Sequence, residues 1–172
     1  MANKNSTQVT NFLGGTTLNP SALQHGKERV YKGTVALATG DLDANDTVML
    51  AAVPSNLRIH ELWIYCDDLD SNGSPTLAAD IGLYKDDSAS APTVKDSDAY
   101  ASAATTFQAA VTEGKNLAYE ARDIANIQKR VFEDAGDTSD PGGYYLVGIK
   151  WTTGPATAAA GDISWVIKGT AE

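Results

Sequence analysis

Reactive side chains are scarce in this chain. Its 172 residues include one cysteine, Cys66, and two histidines, His25 and His60. A lone cysteine excludes a disulfide framework within the chain, and the short supply of His and Cys leaves little for metal or nucleophile chemistry. His60 and Cys66 fall on one predicted strand and point to the same face. At ~3.3 Å per residue they stand roughly 20 Å apart, out of hydrogen-bond reach. No Gly-x-Ser-x-Gly elbow, phosphate-binding loop or His-Glu-x-x-His pair occurs. Apolar runs such as residues 49–53 and 62–66 are far shorter than the ~20 residues of a membrane span. The N-terminus lacks a hydrophobic signal core. The sequence therefore predicts no enzyme, no cofactor and no resident metal.

Charge is also missing where a chain of this composition would normally carry it. Residues 5–26 contain no Asp, Glu, Lys or Arg. They are mostly Ser, Thr, Asn, Gln and Gly, with apolar points at Val9, Phe12, Leu13, Leu18 and Leu23 and breaks at Gly14-Gly15 and Pro20. Such a stretch cannot offset its own ordering entropy, so it reads as an extended arm that orders on a partner. The expected division is an arm over residues 1–28 and a folded domain over residues 29–172. Phe12, Leu13, Leu18 and Leu23 are the candidate anchors, with Lys27, Arg29 and Lys32 available to meet acidic groups.

The rest of the chain is acidic. The formal net charge is −9, although residues 1–32 hold four basic groups against one acidic. An acidic body repels phosphates and anionic lipid alike, so neither nucleic acid nor membrane is an expected partner. Hydrophobic residues make up 42% of the chain, enough for a core.

From Arg29 onward the pattern turns to period two. Val35 and Leu37 open a first strand, residues 46–53 form a second, and residues 57–66 form the strongest, rich in β-branched and aromatic residues. Simple alternation puts Leu57, Ile59, Trp63 and Tyr65 on one face, and Leu62, Ile64 and Cys66 on the other. Residues 76–84, 144–153 and 161–168 add three more strands, with Tyr145, Val147, Ile149 and Trp151 sharing a face. Short extended pieces near residues 93–95 and 116–119 bring the count to eight. Residues 122–135 read as a helix, because Ile124, Ile127, Val131 and Phe132 form one apolar stripe ahead of Gly136. Residues 97–110 read as a weaker second helix. Short strands separated by Gly, Pro, Asn and Asp predict a mainly β protein, an antiparallel β-sandwich of jelly-roll type with one or two short helices.

Two loops stand out. Asp68-Leu-Asp70-Ser-Asn72-Gly73 has the oxygen spacing of a calcium loop, yet the twelfth position is Ala79 and the flanks are strands, so it is not an EF-hand. It reads as polar turn chemistry or as a reduced Ca²⁺ site using Asp68, Asp70 and Asn72. The small-residue stretch 152–161 reads as a hairpin tip or as a loop packing on a neighbour.

The stretch from Val35-Ala-Leu-Ala-Thr-Gly-Asp to Leu50, then Val53-Pro-Ser-Asn-Leu-Arg-Ile59, Cys66-Asp-Asp-Leu and Ile81-Gly-Leu-Tyr84, resembles small virion proteins of tailed bacteriophages. Arg122-Asp-Ile-Ala-Asn-Ile127, Val131-Phe-Glu-Asp-Ala-Gly136 and Asp140-Pro-Gly-Gly143 extend the likeness over about residues 30–170. The resemblance implies a β-sandwich decoration or cement protein on the outer capsid surface. It would bind the major capsid protein and itself, as a homotrimer or dimer. The alternatives are a head or tail fibre module that binds host-surface glycans through Trp63, Tyr65 or Tyr144, and a carbohydrate-binding module with structural Ca²⁺.

Overall fold

The computed structural model describes residues 3–14 and 28–171. Two sheets face each other. One is five-stranded, in the order β1 (Asn3–Asn5), β3 (Thr47–Pro54), β8 (Tyr144–Thr153), β5 (Ala78–Lys85), β6 (Val94–Ala104). The other is four-stranded, in the order β2 (Glu28–Leu37), β9 (Gly161–Ala171), β4 (Leu57–Cys66), β7 (Val111–Asn116). Every pairing is antiparallel except that of β1 with β3. This is the antiparallel β-sandwich that the alternating pattern predicts.

The core lies between the sheets, where period-two side chains from both meet. From β8 come Tyr145, Val147, Ile149 and Trp151, and from β9 come Ile163, Trp165 and Ile167, all buried. Phe107 meets Trp151 edge-on at 5.2 Å. Trp165 lies flat over its cross-strand partner Gly33, where an added Cβ would come within 2.5 Å of the indole. Glycine at that position makes room for the largest core side chain of β9.

Strand β4 departs from simple alternation. Its register against β9 slips between Ile59 and Glu61, so one extra residue enters and the facing of everything after it reverses. Leu57 and Ile59 are buried before the bulge, and Leu62, Ile64 and Cys66 are buried after it. Trp63 and Tyr65, expected beside Leu57 and Ile59, turn to the opposite face.

The two predicted helices are corrected. Residues 97–110 fall largely in strand β6, followed by a 3-10 turn at Thr106–Gln108. Residues 122–135 hold only a 3-10 turn, Ile124–Asn126, and one turn of helix α2, Val131–Asp134. Ile124 is 61% exposed, while Val131 and Phe132 are buried. The reason is that arginines take the carbonyls a helix would use. Arg122 donates to the carbonyls of Ile59 (2.9 Å) and Asn126, and Arg58 Nε donates to Gln128 (2.8 Å). Asp123 caps the amide of Ala125 at 2.9 Å, and Arg130 is extended.

Arg122 also forms an ion pair with Asp134 at 3.0 Å, both side chains at or below 5% exposure. Its guanidinium lies 5.6 Å from the ring centres of both Tyr100 and Tyr119. This cluster fastens the irregular segment to β4 and β6. Burial pushes the Asp134 carboxyl up to about 6, and the neighbouring Arg122 charge offsets only part of that.

Truncating one partner of a buried pair strands the other, so Arg122→Ala should lower the unfolding free energy by about 3–5 kcal/mol, read by chemical denaturation. Between pH ~4 and 6 the folded state holds the Asp134 proton that the unfolded state has released. That contribution to stability is therefore greatest below pH ~4 and is lost as pH rises to 6. Asp134→Asn should remove this slope from a series of denaturation curves.

Candidate interaction surface

The two outer faces of the sandwich differ. On the five-stranded sheet Met49, Ala52, Tyr84 and Leu146 point outward, beside two positions with no side chain, Gly82 and Gly148. An added Cβ at Gly148 would meet the Met49 sulfur at 2.7 Å, so Met49 and Tyr84 lie flat across the strand. The chain covers this groove itself. Helix α1, Thr7–Gly14, seats Val9, which is fully buried, and packs Phe12 and Leu13 beside it. Ser6 starts the helix: its Oγ accepts from Val9 N at 3.2 Å and donates to the Leu50 carbonyl, while its own amide donates to Met49 O at 2.8 Å. Strand β1 adds a parallel edge pairing, Lys4 bonds Asp41 at 3.3 Å, and the Asn5 side-chain amide donates to Ala89 O at 2.7 Å.

The expected anchors are therefore distributed as follows. Phe12 and Leu13 are half-buried on their own sheet, with the Phe12 ring 4.8 Å from that of Tyr144 and tilted 57° to it. Residues 3–14, expected to be extended, form a strand and a helix instead. Val9, Phe12 and Leu13, at i, i+3 and i+4, are one apolar stripe too short to register as a sustained period. Leu18, Leu23 and Lys27 lie outside the described residues. Arg29 sits half-buried near the start of β2, and Lys32 is exposed further along it.

No described element covers the outer face of the four-stranded sheet. The bulge in β4 places Trp63 and Tyr65 there, partly buried, opposite Val166 and Ser164 of β9. Trp63 Nε1 donates to Glu61 at 2.8 Å, and Lys168 holds the same carboxylate at 2.9 Å. These two contacts, the Lys168 bond first, hold the Glu61 carboxyl below its ordinary range. Thr34 and Ser164 share a 2.7 Å hydrogen bond across the strands. A shallow depression of about 410 Å³ is lined by Lys32, Gly33, Thr34, Tyr65, Ser164, Trp165 and Val166. In a chain of net charge −9 the outward positions of β2, β4 and β9 set Lys32, Arg58 and Lys168 against Glu28, Glu61 and Asp162. This face is close to neutral and carries large aromatic area, the composition favoured in protein contacts.

The suspected oxygen cluster proves to be a lock between loops. Asp70 is buried, and its carboxylate accepts four amides: Thr76 at 2.6 Å, Leu77 at 3.0 Å, Ala156 at 3.0 Å and Thr157 at 2.8 Å. Asp68 Oδ1 caps Asp70 N, and Asn72 Oδ1 caps Ser74 N. Burial opposes ionisation of Asp70, but the four N–H groups outweigh it and hold the carboxyl far below the usual range. Both Asp70 oxygens are spent on backbone amides, three on Oδ2 and one on Oδ1, and the described residues contain no group of three or more His, Cys, Asp or Glu fit for a metal. The small-residue loop 152–161 supplies two of the donors, so it is the partner strap of the Asp70 loop.

His60 Nε2 lies 3.0 Å from Thr170 Oγ1 at the bulge, and Cys66 is buried in the core. The two do not meet. A cleft of about 250 Å³ is lined by Lys85, Lys95, Asp137 and Tyr145 among others, but Asp137 is engaged by Lys95 at 2.6 Å and by the Tyr145 hydroxyl.

The fold is shared with chains from two phage capsids. Over 99% of each chain it matches one from the capsid of Ralstonia phage GP4, with 22% identity and a TM-score of 0.70. It also matches a chain of the cyanophage Pam1 capsid asymmetric unit, with 19% identity and a TM-score of 0.58, over 91% of this chain and 99% of that one. No protein-family model matches the sequence, and no curated protein matches it.

Asp70→Asn turns one acceptor oxygen into a donor facing buried amides, and should cost roughly 2–3 kcal/mol by denaturation. The wild-type contribution of Asp70 is present above pH ~4 and lost as pH falls below it. Added Ca²⁺ should leave the melting temperature unchanged, since only a ligand that binds the folded form raises it.

Proposed function

We propose that this chain is a structural protein of a bacteriophage virion, which decorates the outer face of the capsid shell and cements neighbouring shell subunits. The observation that carries the reading is the whole-length likeness in fold to chains of two phage capsids. The absence of a catalytic constellation among the described residues fits a non-enzymatic role, as does a neutral aromatic face on an acidic molecule. The proposed partners are the major capsid protein and further copies of this chain, as a homotrimer or a dimer. The uncovered four-stranded face would supply the contact, and an acidic exterior elsewhere would keep a dense array of copies from clumping.

A second reading has one observation in its favour. Trp63 and Tyr65 on a flat strand face also suit stacking on sugar rings, as a host-binding fibre module would need.

Under the cement reading the purified protein should co-sediment with capsid shells at a fixed ratio per shell subunit. The double substitution Trp63→Ala, Tyr65→Ala should weaken that binding at least tenfold, roughly 1.4 kcal/mol, read at a temperature where the variant is still fully folded, since both rings are partly buried. A protein that ignores shells but binds a glycan array through the same two rings would replace cement with fibre.

A further inference from the structure

We infer that the groove on the five-stranded sheet is an exchange site, able to hold residues 3–14 of a second copy of this chain as well as its own. The inference deepens the cement reading and rests on it only for the setting in which copies are crowded together.

The groove is built for this one segment. Met49, Ala52, Tyr84 and Leu146 are buried in one cluster with Val9, and Phe12 and Leu13 pack against it. The contacts are local to the segment: Ser6 on Met49 and Leu50, Asn5 on Ala89, Lys4 on Asp41, and Val9 with Phe12 and Leu13 in the apolar floor. None of them depends on which chain the segment belongs to.

Residues 15–27, thirteen in number, connect the segment to β2. Fully extended, that connection reaches at most about 45 Å, at ~3.3–3.6 Å per residue. A domain of this size has a radius of gyration of about 15 Å, so the groove of an adjoining copy falls within the span. Because the docked contacts are identical in either case, they cancel. The balance is then between the tether's effective concentration, on the order of millimolar, and the local concentration of neighbours. Neighbours held side by side on one surface reach that level. Each exchanged segment would tie two copies together with no new interface.

The test uses two full-length variants that differ in tag, both carrying Cys66→Ala. One has Asn5→Cys, the other Ala89→Cys, at positions the docked Asn5 side chain already bridges. A short bis-maleimide can join the two only when a segment lies on another copy's groove. Mixed at about 1 mM in total, roughly a quarter of the chains should appear as hetero-cross-linked dimers, falling below about a twentieth at about 10 µM. Val9→Asp in the first variant should abolish the product. Cross-linking confined to a control chain carrying both cysteines, with no mixed dimer at any concentration, overturns the inference. The measurement needs no shells. Mixed dimers without shell binding leave exchange standing and remove the cement reading, and shell binding without mixed dimers does the reverse.

Discussion

Two buried charges hold the irregular parts of this sandwich, and both act mainly on backbone groups. Asp70 gathers four amides from the chain after β4 and the chain before β9. Arg122 gathers carbonyls at Ile59 and Asn126, near the opposite end of β4. Strands satisfy their own peptide groups through the ladder, whereas loops passing over the end of a sheet cannot. A carboxylate supplies acceptors where amides are orphaned, and a guanidinium supplies donors where carbonyls are. The inner faces can then consist almost wholly of hydrocarbon, because the polar demands of the loops are met at the rims.

That division explains which parts of the structure were legible in the sequence. Strand β4 was read to its ends, Leu57–Cys66, and the inward set of β8 was read residue for residue, since period two survives in any half-buried strand. The bulge at His60 was not legible. One inserted residue leaves the composition of a strand untouched while reversing everything beyond it, and so Trp63 and Tyr65 were placed with the wrong neighbours. The helix at residues 122–135 failed for a related reason. Its apolar stripe was real, but Arg122 and Arg58, one of them far away in sequence, compete for the carbonyls a helix would need.

At the candidate surfaces the sequence identified groups more readily than their partners. It singled out Asp68, Asp70 and Asn72 as a set of oxygens, but Asp68 and Asn72 each cap a local amide and Asp70 alone gathers the loop amides, a division that spacing does not reveal. It singled out Phe12 and Leu13 as anchors on a partner, whereas the structure packs both against their own sheet. Val9 with its Ser6 cap was the overlooked signal: a capping serine, an i, i+3, i+4 triad and a closing glycine pair, all within ten residues.

The Cys66 thiol has a practical consequence. Burial pushes it up to about 11, and its Sγ lies 3.8 and 3.7 Å from the carbonyl oxygens of Thr106 and Ala109. At neutral pH almost none of it is thiolate, the form that attacks disulfides and is oxidised by peroxide. The only sulfhydryl in the chain is therefore chemically quiet while the fold persists. The protein can age in air without thiol-driven cross-linking, and labelling of Cys66 by a thiol reagent becomes a clock for global unfolding.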